Sequence, residues 1–376
     1  MAVPCFKALT DQYTTWDQLK TYLSSSEGGS LRIIECNRDS VYIIRYDKAT
    51  SQFDVPHVPW FRSVVWNAAT NRAVCVAPSK AQEGLPESIE GVQFEQFLEG
   101  VMINVFLDLS GSVQIATRSK LDATGTFYSS KSFNDLLNEA LSNQGIADLR
   151  QLFTDGYTFA SLLLQHPEHR IVAKLTEPKV YMIHRGSVTE DGQVLIDQTN
   201  SCVLPGPPLL EGVTDVSGIV PYVQGLAEKN GWMWQGLVMK QGLNRWRLRS
   251  NAYSMVRMMR GDSPRTDVRF LRIRGKQLME TYLYYYGDEK VEMAHLEQQV
   301  RSITQQLYQA YVLSHITHAC KFVDLAPHWK THVFSIHTLY LNTMRSKGHF
   351  VRKQDVIDYV NRLPIPRLLH LMKTCV

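Results

Sequence analysis

Residues 235–253 read Gln-Gly-Leu-Val-Met-Lys-Gln-Gly-Leu-Asn-Arg-Trp-Arg-Leu-Arg-Ser-Asn-Ala-Tyr. Successive side chains of a strand point to opposite faces, so Arg247 and Arg249 project from one side. The charge continues beyond them. Between 245 and 276 the chain carries nine arginines (245, 247, 249, 257, 260, 265, 269, 272 and 274) and Lys276 against Asp262 and Asp267, a net +8 in 32 positions. Arg272 and Arg274 repeat the alternation and are expected on one face of a second strand. Such a stripe suits a phosphate backbone, with Trp246 and Tyr253 nearby as stacking surfaces for unpaired bases. A solvated basic face, or contact with an acidic partner protein, is the plain alternative.

Whole-chain numbers conceal this stripe. The 376 residues hold 40 Lys+Arg and 36 Asp+Glu, a net charge of +4, so everything outside 245–276 sums to −4. With 44% apolar and 20% charged residues the chain can bury one or two cores, which excludes disordered and collagen-like classes. Its apolar runs fall short of the roughly 20 residues needed to span a bilayer, so no membrane association is expected. Six cysteines (Cys5, Cys36, Cys75, Cys202, Cys320, Cys375) lack CxxC pairing or regular spacing, as expected of free thiols in the cytoplasm.

Up to about residue 280 the texture is β-rich. Strand-like runs cover 31–34, 41–44, 62–66, 72–76, 101–106 and 112–117. Leu107–Gly111 reads as a hairpin connection and Asn67–Asn71 as another turn. Helices are expected over Ser132–Leu141, with Asp135 three residues after its Ser, and over Ile219–Lys229. The loop Cys202–Pro208 marks an internal break. From about 289 the pattern becomes helical: Leu296, Val300, Ile303, Leu307 and Ala310 recur at three- and four-residue steps. A shorter helix over 353–360 is expected to stop at Leu363-Pro364-Ile365-Pro366. The fold class is α/β of the α+β kind, with domains at 1–280 and 281–376, the second small and all-helical.

Five segments carry a resemblance. They are Phe61-Arg62-Ser63-Val64-Val65-Trp66 with Val76-Ala77-Pro78-Ser79-Lys80; Gln96-Phe97-Leu98-Glu99-Gly100 leading to Thr117-Arg118-Ser119; Tyr157-Thr158-Phe159 with His166 to Val172; Gln235 to Lys240; and Arg245 to Tyr253. In this order they resemble the covalent nucleotidyltransferase fold, specifically the type 1 RNA ligases of bacteriophages and large DNA viruses. The resemblance implies an ATP-grasp-like ligase domain with antiparallel sheets, ATP and Mg²⁺ as cofactors, and RNA as partner. Arg62, Lys80, Phe159, Lys240, Arg247 and Arg249 would then bind nucleotide or phosphate, and Arg257, Arg260, Arg269, Arg272, Arg274 and Lys276 would bind RNA.

The same resemblance sets this chain apart. A ligase of this kind attacks the α-phosphate of ATP with the neutral amine of a lysine whose pKa is depressed. Phe97 stands at that position, in a degenerate motif with Glu99 and Gly100, and a phenyl ring has no nucleophilic lone pair. The ribose-binding Glu is replaced by Leu163, the metal-associated Glu by Gln235, and two phosphate-facing lysines by Arg247 and Arg249. These are the marks of a pseudoenzyme, with no catalytic residue expected intact. The alternatives are an active ligase with a non-standard nucleophile and a structural or virion interaction protein reusing the fold.

Each residue also has a blander reading. Arg62 and Lys80 suit solvated strand ends, and Phe159 suits plain core packing. Lys120 offers a displaced amine, but a strand rises about 3.3 Å per residue and carries it far from position 97. Eight of the twelve histidines lie in the last 82 residues. His315/His318 and His328/His332, with Cys320 and Asp324 between, match no recognised zinc pattern, and no metal is expected there. Arg274-Gly275-Lys276 lacks the preceding Gly and the following Ser/Thr of a phosphate loop, and no Gly-x-Ser-x-Gly elbow occurs.

Overall fold

The computed structural model describes residues 1–36, 40–198 and 203–374. The chain divides into two compact units, Met1–Arg257 and Met258–Val376. Among the described residues the strands of the first unit form antiparallel sheets of six, three and four strands. The mixed α/β class with antiparallel sheets and a helical carboxy-terminal region is as expected.

The six-stranded sheet runs in the order Ala2–Val3, Val194–Asp197, Lys179–Val188, Phe159–Gln165, Val101–Leu107, Val113–Ala116. Alternation decides what each face does. Leu162 and Leu164 join Ile103, Val105, Val180 and Met182 under helix Phe133–Asn143, which contributes Leu136, Leu137, Ala140 and Leu141. That helix begins at Ser132, whose hydroxyl accepts from the Asp135 N–H while Asp135 accepts from the Ser132 N–H. Leu163, one residue out of phase with its neighbours, lies opposite Met102 and turns to the other face.

The three-stranded sheet runs Asn244–Arg249, Gly236–Gln241, Gln93–Gln96. Phe94, Leu237, Met239 and Trp246 form one face of it, packed on Ile219 and Val223 of helix Ile219–Asn230. The opposite face carries Glu95, Val238 and Arg247 in one cross-strand row and Gln93, Lys240 and Arg245 in the next. Thus the Arg-Trp-Arg-Leu-Arg alternation puts its arginines on one side and its apolar residues in a core. The four-stranded sheet (Arg32–Glu35, Val41–Arg45, Val64–Asn67, Arg72–Val76) completes the first unit, with Asn67 and Arg72 paired across the expected turn.

The second unit is helical: Thr266–Gly275, Met279–Tyr285, Lys290–Tyr311, Pro327–Leu339, Lys353–Asn361 and Ile365–Thr374. Its boundary falls well before residue 280. Buried Arg260 and Arg269 pair with Glu289, and Arg274 pairs with Glu297, tying the 260–275 stretch to the helical unit. One expectation is corrected: Arg272 and Arg274 lie on a helix, not a strand. Helix Lys353–Asn361 stops ahead of Leu363-Pro364 as expected, and a further helix, Ile365–Thr374, follows, because proline's fixed φ and missing N–H are tolerated in a first helical turn.

Cys5, Cys36, Cys75 and Cys320 are free, while Cys202 and Cys375 lie outside the described residues. Among the described residues no helix is long and apolar enough to cross a membrane.

Candidate phosphate-binding site

Within the first unit, the charged face of the three-stranded sheet and the Leu163 face of the six-stranded sheet enclose a cavity of about 240 Å³. Seven basic residues line it (Lys48, Arg62, Lys240, Arg245, Arg247, Arg249 and Arg257), with Glu95 and Glu99 the acidic ones. Met102, Leu163, Ile171, Ile183 and Val238 supply apolar wall.

Both carboxylates are already engaged. Glu95 and Lys240 are 2% and 5% exposed, and the Lys240 ammonium donates to the Glu95 carboxylate at 2.8 Å and to the Ile183 carbonyl at 3.3 Å. Glu99 accepts from the backbone N–H groups of Ile171, Val172 and Ala173 at 3.0–3.3 Å, and from the Tyr253 hydroxyl at 2.8 Å. Two glycines make these placements feasible. A Cβ on Gly100 would sit 2.5 Å from the Leu164 carbonyl, and Gly236, at φ +140°, would meet the Leu248 carbonyl at 2.1 Å. The Gly236 carbonyl in turn accepts from the Phe97 N–H at 2.8 Å.

The cavity's arginines lie close to one another, and Glu95 offsets only part of that repulsion at Arg245. Burial first, and then Arg62, pushes Arg245 down to about 9, which still leaves it charged at neutral pH. Burial lowers Arg249 as well, followed by Arg257 and Arg247. Lys48 is held down by desolvation and then by Arg247, Arg118, Arg249 and Arg257. Lys240 is lowered by burial, against the pull of Glu95. The Nε atoms of Arg245 and Arg249 have no hydrogen-bond partner among the described residues, nor does the buried Oε1 of Gln235 at the cavity wall. Unspent donors and mutual repulsion together make a site that gains from an anion.

Phe97 lies in this cavity, with the Arg249 guanidinium 5.2 Å from its ring centroid. The ring's π face holds the cation without neutralising it. Leu163 and Gln235 line the same space. All five substituted positions read from the motifs, Phe97, Leu163, Gln235, Arg247 and Arg249, therefore meet at one place.

Other expected residues lie elsewhere. Lys80 stands 4.8 Å over the Phe53 ring and is outside the cavity lining. Phe159 is fully buried against His184 and does not line the cavity, which fits its plain core-packing reading. Trp246 is on the core face of its sheet and Tyr253 is buried beneath Glu99, so neither offers a stacking surface. Lys120 is exposed and outside the cavity.

Of the RNA-binding candidates, Arg257 lines the cavity. Arg260 and Arg269 are used by Glu289, Arg272 by the carbonyls of Met259 and Arg260, and Arg274 by Glu297 and Asn361. Lys276 is exposed. Among the described residues no group of three His, Cys, Asp or Glu is arranged to hold a metal. His332 bonds the Tyr359 hydroxyl at 2.8 Å, and His315 stacks on Tyr311.

Sequence reading missed Lys48, Glu95 and the closeness of Arg62 to Arg245. Each comes from a different sheet or loop, and nothing local to Lys48 signals that it lines a cavity. Glu95 had a signal, since a strand places it on the side of Phe97 two residues on.

No protein-family model matches the chain, and no curated protein matches it. Among solved structures it is similar to an archaeal ATP-dependent RNA ligase in its form 1, at TM-score 0.39 and 10% identity over 99% of this chain and 82% of that one. Form 2 aligns at TM-score 0.39 and 13% identity over 81% of this chain and 83% of that one. Likenesses this distant leave the cavity itself to carry any functional reading.

Proposed function

We propose that this chain is an RNA-ligase-like protein that binds the phosphates of a nucleotide or an RNA end in the basic cavity without forming a lysyl-nucleotide bond. One observation carries this reading: the cavity gathers seven basic residues around two carboxylates that are each already bonded within the protein, while the motif position that should supply the amine holds Phe97. Arg62, Arg245, Arg247, Arg249 and Arg257 are the residues we assign to phosphate, with Lys48 at the rim. The finer affiliation, to type 1 RNA ligases of phages and large DNA viruses, rests on the order of the five motifs. Six unclustered cysteines go with a cytoplasmic setting.

A second reading is favoured by Lys240, a buried amine in the same cavity with a lowered pKa. Its contact with Glu95 at 2.8 Å favours the ammonium form, which has no lone pair to attack phosphorus. Incubation with α-labelled ATP separates the two. Label retained on the native protein and lost on denaturation is the expected result. A denaturation-resistant, hydroxylamine-sensitive adduct would establish the active-ligase alternative instead.

A further inference from the structure

We infer that the cavity takes polyphosphate without a divalent cation; this rests on the phosphate-binding reading above. Magnesium needs close to six oxygen ligands at about 2.0–2.1 Å, and protein sites supply at least one or two of them as carboxylates. The cavity has two carboxylates, and neither is open. Glu95 is covered by the Lys240 ammonium at 2.8 Å. Glu99 is saturated by three backbone N–H groups and the Tyr253 hydroxyl.

What remains is the buried Oε1 of Gln235, a single neutral oxygen on a wall shared with Arg245, Arg247 and Arg249. A cation approaching it meets their repulsion before it finds a second ligand. The motif resemblance implies Mg²⁺, and the donor set does not fit it.

Arginine can take over the metal's electrostatic role. Its guanidinium is always charged, binds phosphate oxygens in pairs and needs no dehydration of a tightly held water shell. The Lys-to-Arg and Glu-to-Gln departures then belong to one change, in which fixed cations replace a recruited one. Magnesium in solution would compete with the protein for the phosphates.

Calorimetric titration of the full chain with ATP tests this, in EDTA and again in excess Mg²⁺. Several-fold tighter binding in EDTA is expected. Binding that requires Mg²⁺ overturns the inference and leaves the cavity a phosphate site. Absence of binding in both conditions overturns the phosphate-binding reading and this inference with it. The Q235E variant returns a carboxylate to the wall and is expected to lose about tenfold in EDTA through repulsion of the phosphates. Unchanged Q235E affinity in EDTA would mean that ATP is held elsewhere, which also overturns the inference.

Discussion

Two arginine-rich stretches follow one another in the chain and have opposite fates. Arg245, Arg247 and Arg249 lie on a strand and face a cavity whose carboxylates are committed to other partners. Arg260, Arg269 and Arg274 lie on helices and meet Glu289 and Glu297. In the sequence the two form one +8 block. In the fold, Arg260, Arg269 and Arg274 are internal scaffolding, whereas Arg245, Arg247 and Arg249 face a cavity where their charge can meet a ligand. Positive charge per residue therefore says little about a phosphate site until the counter-charges are located.

Removing a counter-charge should give the largest effect. Glu289 holds two buried guanidiniums and the Tyr282 hydroxyl. Stripping one partner from a buried pair costs about 3–5 kcal/mol, so E289A is expected to lose that much in urea unfolding. A loss below about 1 kcal/mol would erase the distinction between the two stretches.

Removing the arginines themselves should do the reverse in the cavity. Charge-assisted hydrogen bonds contribute about 1.5–3 kcal/mol each, so the R247A/R249A double variant is expected to bind ATP at least about a hundredfold more weakly. Its urea midpoint should hold or rise, because the substitutions relieve repulsion among like charges. Weakened binding accompanied by lost stability would mark these residues as scaffolding too.

A smaller effect sharpens the comparison from beside the cavity. His184 is buried and donates its Nε2–H to the Val76 carbonyl at 2.8 Å; burial, with Lys240, Arg245 and Arg62 adding to it, pushes its pKa down to about 3. Below pH ~6.5 the unfolded chain takes up this proton and the folded one does not. Stability should therefore fall as pH drops from ~6.5 toward 3, by up to about 1.4 kcal/mol per pH unit from this group. Urea unfolding between pH 7.5 and 5 should show a shallower slope for H184Q than for the wild type. Equal slopes would remove His184 as the source.

The smallest effect belongs to Lys276, exposed at the end of its helix. K276A is expected to leave stability within about 0.5 kcal/mol and ATP affinity unchanged. A loss of affinity there would extend the binding surface beyond the cavity.

Much of the site strand was legible because alternation is local: Arg-Trp-Arg-Leu-Arg already separates a charged face from an apolar one. The side to which Trp246 belongs was legible by the same rule, yet its reading as a stacking surface ignored that a large apolar residue between arginines points to the core. The pairing of Arg260 and Arg269 with Glu289 was not legible, because it depends on how helices turn back on one another. The same holds for Arg62 and Arg245, which come from segments far apart in the chain. Position 97 was placed by motif order alone, and it meets Arg247, Arg249 and Lys240 in the cavity.

The most direct measurement is the salt dependence of binding between the full chain and a single-stranded RNA bearing a 5′-phosphate. For single strands each phosphate contact adds about −0.7 to the slope of log affinity against log salt concentration. A steep negative slope that becomes shallower in R247A/R249A is the predicted result. A flat slope, or a steep one that the double substitution leaves unchanged, would contradict the assignment of phosphate to this cavity.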